Sequence, residues 1–320
     1  MPTFASEETG AARQMTPAAL ANERVLVTGG SGFIGRRLCT RLIELGAEVH
    51  AVSRIERPRV DEVRWWVADV GDADDIRRVV QETQPHVIVN LAGYVSGSRS
   101  MASVLSTARV NLMGAVNVLV AASNLSCRRV VLAGSLEEPS PDQDDGVPAS
   151  PYAAAKLGAS AYGRMFHRLY DTGVVMLRLF MVYGPGQADE TKLVPYVIRS
   201  ILRGEAPELS SGRRPVDWIY VDDVVKGLID GMVVGGIEGQ TIDLGTGLLT
   251  PVRSVVEEIA RQMDTGLEPR FGLVPDRPYE RICAADVPRT RELLAWAPQI
   301  ELEDGLASTI DWYASRQGRA

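Results

Sequence analysis

A tyrosine and a lysine four residues apart, Tyr152-Ala-Ala-Ala-Lys156, come after a glycine-rich turn near the start of the chain and a serine at Ser135. On a helix, positions i and i+4 share one face, so this phenol and ammonium would stand side by side. A phenol with a pKa near ~10 exchanges protons poorly at neutral pH. An adjacent positive charge favours the phenolate, which makes Tyr152 a usable acid/base. Alone the pair could lie on any solvated helix. Its place in the chain, after the turn and the serine, gives it meaning.

The turn is Thr28-Gly-Gly-Ser-Gly-Phe-Ile-Gly35, with Gly29, Gly32 and Gly35 spaced three apart and Gly30-x-Gly32-x-x-Gly35 also present. Such glycines let backbone turn tightly against a pyrophosphate, while the helix opening at Phe33 and Ile34 offers unpaired N–H groups and positive potential. A dinucleotide is the expected ligand. About 20 residues on, an NAD site wants a carboxylate for the ribose 2′-hydroxyl. The second strand instead ends Ala51-Val-Ser53-Arg54. Ser53, Arg54 and Arg36 suit a 2′-phosphate, because guanidinium pairs well with phosphate oxygens. NADP(H) is therefore preferred, NAD(H) stays possible, and two solvated arginines are the bland alternative. Further along, Asp69 and Val70 close the third strand, where a carboxylate could take the adenine amino group. Leu91, Ala92 and Gly93 follow the fourth, small enough in part to let backbone lie against a cofactor.

These residues need a scaffold, and the pattern supplies one. Short β-branched runs at Arg24–Thr28, Glu48–Ser53, Arg64–Asp69, His86–Leu91, Arg129–Ala133 and Val174–Leu179 alternate with helical stretches at Phe33–Leu45, Ala73–Thr83, Ser103–Ser123 and Tyr152–Tyr170. That alternation predicts an α/β fold: a doubly wound parallel sheet of six strands with helices on both faces. After Tyr183-Gly-Pro-Gly186 the pattern loosens. Helices are expected near Lys192–Arg203, Asp222–Val234, Val252–Met263 and Leu302–Ser315, with strands near Asp217–Tyr220 and Thr241–Leu244. We expect residues 23–180 to form the dinucleotide-binding domain. Residues 181–320 would mainly form a small α/β substrate lobe interleaved with it, over the carboxyl ends of the strands. Residues 1–22 read as a disordered tail, and Pro139–Pro148 as an acidic surface loop.

Composition narrows the class. The 320 residues carry 34 basic and 41 acidic side chains, net −7, which disfavours nucleic acid. Three scattered cysteines and three scattered histidines show no metal-ligand spacing. No apolar run in the sequence suggests a membrane span. A cytoplasmic enzyme is the expectation.

In this order the motifs resemble those of the extended short-chain dehydrogenase/reductase family, particularly its nucleotide-sugar branch. The resemblance runs from Arg24 to about Tyr313. It rests on Val27-Thr-Gly-Gly-Ser-Gly-Phe-Ile-Gly35, Asn90-Leu-Ala-Gly93, Ser135, Tyr152-x-x-x-Lys156, Arg178-Leu-Phe-Met-Val-Tyr-Gly-Pro185, Trp218-Ile-Tyr-Val-Asp-Asp223 and Leu293-Leu-Ala-Trp296. It implies a Rossmann-type sheet, a homodimer through the helices Ser103–Ser123 and Tyr152–Tyr170, and a catalytic set of Ser135, Tyr152 and Lys156. Tyr152 would exchange the proton. Lys156 would hold the nicotinamide ribose and lower the Tyr152 pKa, and Ser135 would hydrogen-bond the reacting oxygen.

Within that family, dehydratases follow the serine position with residues that handle elimination. Here Leu136 cannot transfer a proton, and Gly134-Ser-Leu-Glu-Glu138 looks more like a 4-keto-6-deoxyhexose reductase. Glu137 retains the base position, and a structural role for it is equally open. The segment between Ser135 and Tyr152 is shorter than the resemblance implies, and Pro139-Ser140 replaces the usual Tyr-Gly. The expected substrate contacts are Ser135, Glu137, Met181, Leu193, Arg214 and Arg277. Met181 stands where the family has asparagine and Val216 where it has arginine; Arg213 and Arg214 could compensate. Arg277 and Arg281 would grip a diphosphate or else form surface ion pairs.

The first expectation is NADPH-dependent reduction of a keto-sugar nucleotide, a 4-keto-6-deoxyhexose. An NAD-dependent nucleotide-sugar epimerase is the runner-up, and a reductase of a non-nucleotide ketone or aldehyde is third. A cofactor-binding regulatory protein without turnover is the alternative from another class.

Overall fold

The computed structural model describes residues 17–58, 62–95, 98–125, 127–139, 146–277 and 279–316. The first part of the expected tail and residues 140–145 of the acidic loop lie outside these. The tail's last residues are not loose: Pro17–Leu20 forms a 3₁₀ turn, and Leu20 is fully buried in the core.

In chain order, the first half runs β1 (Arg24–Thr28), α1 (Phe33–Glu44), β2 (Glu48–Ser53), β3 (Arg64–Val67), α2 (Ala73–Thr83), β4 (Val87–Asn90), α3 (Val104–Thr107), a π-helical segment (Ala108–Met113), α4 (Gly114–Ser123), β5 (Arg129–Ser135), α5 (Pro151–Tyr170) and β6 (Val174–Leu179). The second half runs β7 (Met181–Tyr183), α6 (Leu193–Leu202), β8 (Glu208–Leu209), β9 (Pro215–Tyr220), α7 (Val221–Val233), β10 (Thr241–Leu244), β11 (Leu249–Pro251), α8 (Val252–Met263), β12 (Arg270–Phe271), α9 (Val287–Leu294) and α10 (Leu302–Ala314).

Seven strands form the main sheet in the order β10-β6-β5-β4-β1-β2-β3, and every pair is parallel. Order reverses between β1 and β4, which opens a crevice at the carboxyl ends of the strands. The alternation along β1 shows why both faces are covered. Val25 and Val27 join one apolar cluster, and Leu26 joins the cluster on the opposite face. Helix α1 buries Gly35, Leu38, Cys39 and Leu42, one stripe of a 3.6-residue repeat. Helix α2 starts at Asp72, whose carboxylate accepts the N–H groups of Asp74 and Asp75.

The sequence pattern places six of the seven strands in this sheet and finds the seventh only as a strand. Thr241–Leu244, expected in the C-terminal lobe, is instead the edge strand of this sheet, paired with β6 from Thr241↔Met176 to Leu244↔Leu179. Helix α7, packed on β5 and β6, provides the crossover that returns the chain there. The strand is only four residues long and contains a buried Asp243, so no local signal assigns it to a sheet.

Helical residues Met101–Ser123, with mean hydropathy 1.5, are long and apolar enough to cross a membrane by length and composition. This corrects the reading that no apolar run reaches that length. Their burial in the fold has a local reason. α4 packs between α2 and α5, with Asn111 and Asn117 buried inside the domain. The Asn117 amide donates to the Val70 carbonyl at 2.9 Å.

Beyond β6, strands β7, β9 and β11 form a three-stranded sheet, with α6, α8 and α10 packed over it. Two separate motifs lock this part to the main sheet. The buried Asp217 carboxylate accepts the N–H groups of Thr246, Gly247 and Ala285 at 2.7–2.9 Å. Asp223 accepts those of Gln299 and Ile300, while the Trp296 indole donates to the Asp223 carbonyl at 3.1 Å.

Candidate active site

Ser135 ends β5 and is buried. Its hydroxyl oxygen accepts the Glu137 N–H at 3.2 Å, which leaves the O–H available to donate elsewhere. Helix α5 begins at Pro151 because Ser150 caps it, accepting the Ala153 N–H at 3.1 Å, and because proline suits the first helical position. This start sets Tyr152 and Lys156 on successive turns beside the end of β5. Close approach of helix to sheet needs small residues: a Cβ on Gly163 would lie 2.8 Å from Met176 Sδ and 3.1 Å from Leu132 Cδ1.

The Lys156 ammonium is buried, donates to the Ala133 carbonyl at 2.7 Å and lies 5.8 Å from the centre of the Tyr152 ring. Burial lowers its pKa to about 8, against an opposing pull from the Glu138 carboxylate. Tyr152 moves the other way. Desolvation pushes its phenol up to about 12; the Ser135 hydroxyl opposes this, and Glu138 and Glu137 add to it. Lys156 is not among the groups that shift this phenol; burial and the two carboxylates together outweigh the Ser135 hydroxyl. Tyr152 holds its proton at neutral pH, the form suited to giving one away.

Behind the serine lies a carboxylate the sequence reading assigned no role. Glu138 is 3% exposed, accepts the Ser135 N–H at 2.6 Å and the Ser160 hydroxyl at 2.7 Å, and fills the space a Cβ on Gly134 would need. Glu137, by contrast, faces Arg214 at 3.4 Å, and Arg214 also meets Glu280 at 3.2 Å and the Arg281 carbonyl at 2.8 Å. Arg214 is thus tied down at the rim of the site, as a partner for carboxylates. Arg281 donates to the Leu136 carbonyl at 2.9 Å and to the Glu138 carbonyl, which staples a C-terminal segment onto the loop after β5. Leu136 itself is buried. Met181 and Leu193 are half-buried at the starts of β7 and α6, and Arg277 is exposed on the segment before α9.

At the other end of the crevice the glycines are needed for close packing. Gly29 has φ +69°, and a Cβ there would lie 2.7 Å from the Ala92 nitrogen and 2.8 Å from the Leu91 carbonyl carbon. A Cβ on Gly35 would sit 2.2 Å from the Gly29 oxygen. Gly32 caps α1 without a side-chain hydrogen bond, so the first-turn N–H groups of Phe33, Ile34 and Gly35 have no side-chain partner at that cap. This is a cradle for an anion. Arg36 arches over the turn, its Nε donating to the Ser31 carbonyl at 2.9 Å. Ser53 is buried at the end of β2, Arg54 is exposed beyond it, and Arg57 Nε lies 3.4 Å from Ser53 Oγ. Val70 is buried under α4.

Asp69 is already engaged, receiving the Gly71 N–H and Arg109, each at 2.8 Å. Burial pushes its pKa up, but these partners and the nearby Arg54 charge hold it below the ordinary carboxylate range. Asn111, on the π-helical segment, holds the chain after Gly93 by accepting the Tyr94 N–H at 2.8 Å and donating to its carbonyl at 3.1 Å. A polar residue within so apolar a helix was the available signal for it. Hollows of about 360 Å³ beside Gln262, Glu303 and Asp311, and about 100 Å³ beside Trp218, Leu248 and Ile300, lie elsewhere. Neither is lined by Ser135, Tyr152 or Lys156, and hydrogen-bonding geometry marks the chemistry better than hollow size here.

Residues 25–232 match the NAD dependent epimerase/dehydratase family. The UDP-glucose 4-epimerase of Mycolicibacterium smegmatis is 33% identical over 92% of this chain and 99% of its own length. The dTDP-glucose 4,6-dehydratase of Streptomyces niveus is 30% identical over 93% of this chain and 94% of its own. The crystal structure of UDP-glucose 4-epimerase with UDP-glucose from Thermotoga maritima superposes with a TM-score of 0.83 at 26% identity, covering 92% of this chain and 99% of that one. Likeness along nearly the whole length, over a sheet with this strand order, makes the chain an enzyme belonging to the NAD dependent epimerase/dehydratase family, within the nucleotide-sugar branch of the extended short-chain dehydrogenases/reductases.

Proposed function

We propose that the enzyme is an NADPH-dependent reductase of a keto-sugar nucleotide, acting on a 4-keto-6-deoxyhexose. The observation that carries the reading is a clustered Ser135, Tyr152 and Lys156 joined to a second strand that ends Ser53-Arg54 with no carboxylate. The cofactor fits the residues present: the glycine cradle and open helix start at Gly29, Gly32, Phe33, Ile34 and Gly35 suit a pyrophosphate. Arg36, Ser53 and Arg54 would take a 2′-phosphate, Asp69 and Val70 would border the adenine, and Leu91, Ala92 and Gly93 would line the path toward Tyr152 and Lys156. When bound, the nicotinamide supplies hydride chemistry.

The chain's own residues would do the rest. Ser135 and Tyr152 would both direct an O–H at the carbonyl oxygen, polarising it. As negative charge grows on that oxygen, Tyr152 would pass its proton across, and the Lys156 ammonium would stabilise the phenolate left behind. Leu136 offers no proton to an elimination, which argues against dehydration. Glu137, held by Arg214, would face the sugar, with Met181, Leu193 and Arg277 as further substrate contacts. Exposed Met101, Leu105, Leu169 and Tyr170 on the α3–α5 side would pair two copies into a homodimer, a state light scattering would test. The enzyme would work in the cytoplasm.

The second reading, an NAD-dependent nucleotide-sugar epimerase, is favoured by the 33% identity to a UDP-glucose 4-epimerase. The purified protein separates them. Consumption of NADPH with dTDP-4-keto-6-deoxyglucose supports the reductase, whereas interconversion of UDP-glucose and UDP-galactose without added cofactor supports the epimerase. In either case Tyr152→Phe is expected to lower kcat by roughly 100-fold or more. Retained turnover in that variant would count against both.

A further inference from the structure

We propose that Glu138 is a positioning residue: its buried carboxylate clamps the serine end of β5 to the helix carrying Tyr152 and Lys156, and, bonded to Ser160, it sets a negative charge about one helical turn from Lys156. This rests on the reading of Ser135, Tyr152 and Lys156 as the catalytic cluster. Three observations converge. One Glu138 oxygen accepts the Ser135 N–H at 2.6 Å, and the other accepts the Ser160 hydroxyl at 2.7 Å, four residues past Lys156 on α5. One short side chain therefore bonds both elements that must hold the reacting groups in register. The space it occupies is created by Gly134, where a Cβ would lie 2.6 Å from Glu138 Oε1. The loop that carries it is fixed from the far side by Arg281, bonded to the Leu136 and Glu138 carbonyls.

The surrounding charges show what the carboxylate does. Tyr152 lies beside Lys156 on the same helix, its ring centre 5.8 Å from the ammonium, and Glu138 reaches that helix from the loop after β5 at Ser160. Beyond Glu138 lie Arg178 from β6, itself paired with Asp243 from β10 at 2.6 Å, and Arg281 from the C-terminal segment. Burial raises the Glu138 pKa, the Ser160 hydroxyl, the Ser135 N–H and the Lys156 and Arg178 charges oppose that rise, and the ionised carboxylate in turn opposes the loss of the Lys156 proton by burial. A carboxylate that only filled space could be replaced by its amide with no effect on kcat.

The test uses Glu138→Gln, which keeps an acceptor for Ser135 and an amide for Ser160 but removes the charge, and Ser160→Ala, which cuts only the link to the helix. The chain has three lysines, Lys156, Lys192 and Lys226, so ¹³C-lysine-labelled protein gives three titration curves. In Glu138→Gln the Lys156 midpoint is expected to fall by about half a pH unit or more. Its kcat is expected to fall about tenfold with KM within about twofold, and Ser160→Ala to lose about threefold. The substrates are dTDP-4-keto-6-deoxyglucose with NADPH, or UDP-glucose. A Lys156 titration unmoved in a folded Glu138→Gln protein overturns the proposal, as does an unmoved kcat. Tyr152→Phe runs alongside: full turnover there removes the catalytic cluster itself, while the lysine titration still decides what Glu138 does.

Discussion

Arg54→Ala is the sharpest test of cofactor choice, because the family description names NAD while the end of β2 carries no carboxylate. The local balance is basic: Arg36 lies over the glycine turn on the Ser31 carbonyl, Arg57 reaches Ser53 Oγ, and Arg54 and Arg109 act on Asp69, which Arg109 meets at 2.8 Å. A charge-assisted bond from guanidinium to a phosphate is worth about 1.5–3 kcal/mol when well placed. Arg54 is exposed and lies close enough to Asp69 to act on its charge, so a value just below that range applies, roughly 1.4 kcal/mol or tenfold in affinity. Fluorescence titration with NADPH and NADH is the assay. Arg54→Ala should weaken NADPH about tenfold and leave NADH within about twofold. The loss should shrink in high salt, where the screening length drops to about 3 Å at 1 M. Equal weakening of both cofactors, or a native preference for NADH, would refute the 2′-phosphate reasoning.

Two further outcomes follow from the same geometry. Lys156 has a pKa lowered to about 8 and must be charged to stabilise a phenolate, so kcat for reduction should fall as pH rises through 8, about tenfold by pH 9. Tyr152, raised to about 12, stays protonated across that range, so a limb near 8 assigns to the lysine; Lys156→Arg should remove it while lowering the plateau. Gly35→Ala places a Cβ 2.2 Å from the Gly29 oxygen and 2.8 Å from Gly30 Cα, backbone that cannot yield cheaply, so a loss of about 1–3 kcal/mol is expected in denaturant melts. Gly32→Ala meets only the Gly29 oxygen at 3.2 Å and puts alanine at the helix cap, so a smaller loss than for Gly35→Ala, about 0.5–1 kcal/mol, is expected.

Much of the candidate site is legible in the sequence. Tyr152 and Lys156 share a helix whose cap and proline are neighbours in sequence, and the glycine turn is a local steric demand between β1 and α1. Periodicity of two along β1, and of 3.6 along α1, reports burial directly, because it repeats within a few residues. Boundaries slipped where burial continues past the strand: Arg64–Asp69 pairs only to Val67, while the fifth strand runs on to Ser135.

What the chain's order of residues determined by itself was the order of most elements, the tight glycine turn proposed to hold a phosphate and the Tyr152–Lys156 pair proposed for catalysis, each written within a few turns of backbone. Only tertiary structure decided that Thr241–Leu244 joins the main sheet, that Arg214 serves Glu137 and Glu280, and that Glu138 lies beneath Ser135 while Glu137 does not. It also set how strongly burial acts on Tyr152 and Lys156. These outcomes depend on contacts between residues distant in sequence and on how much water each charge keeps, and neither quantity has a local signature.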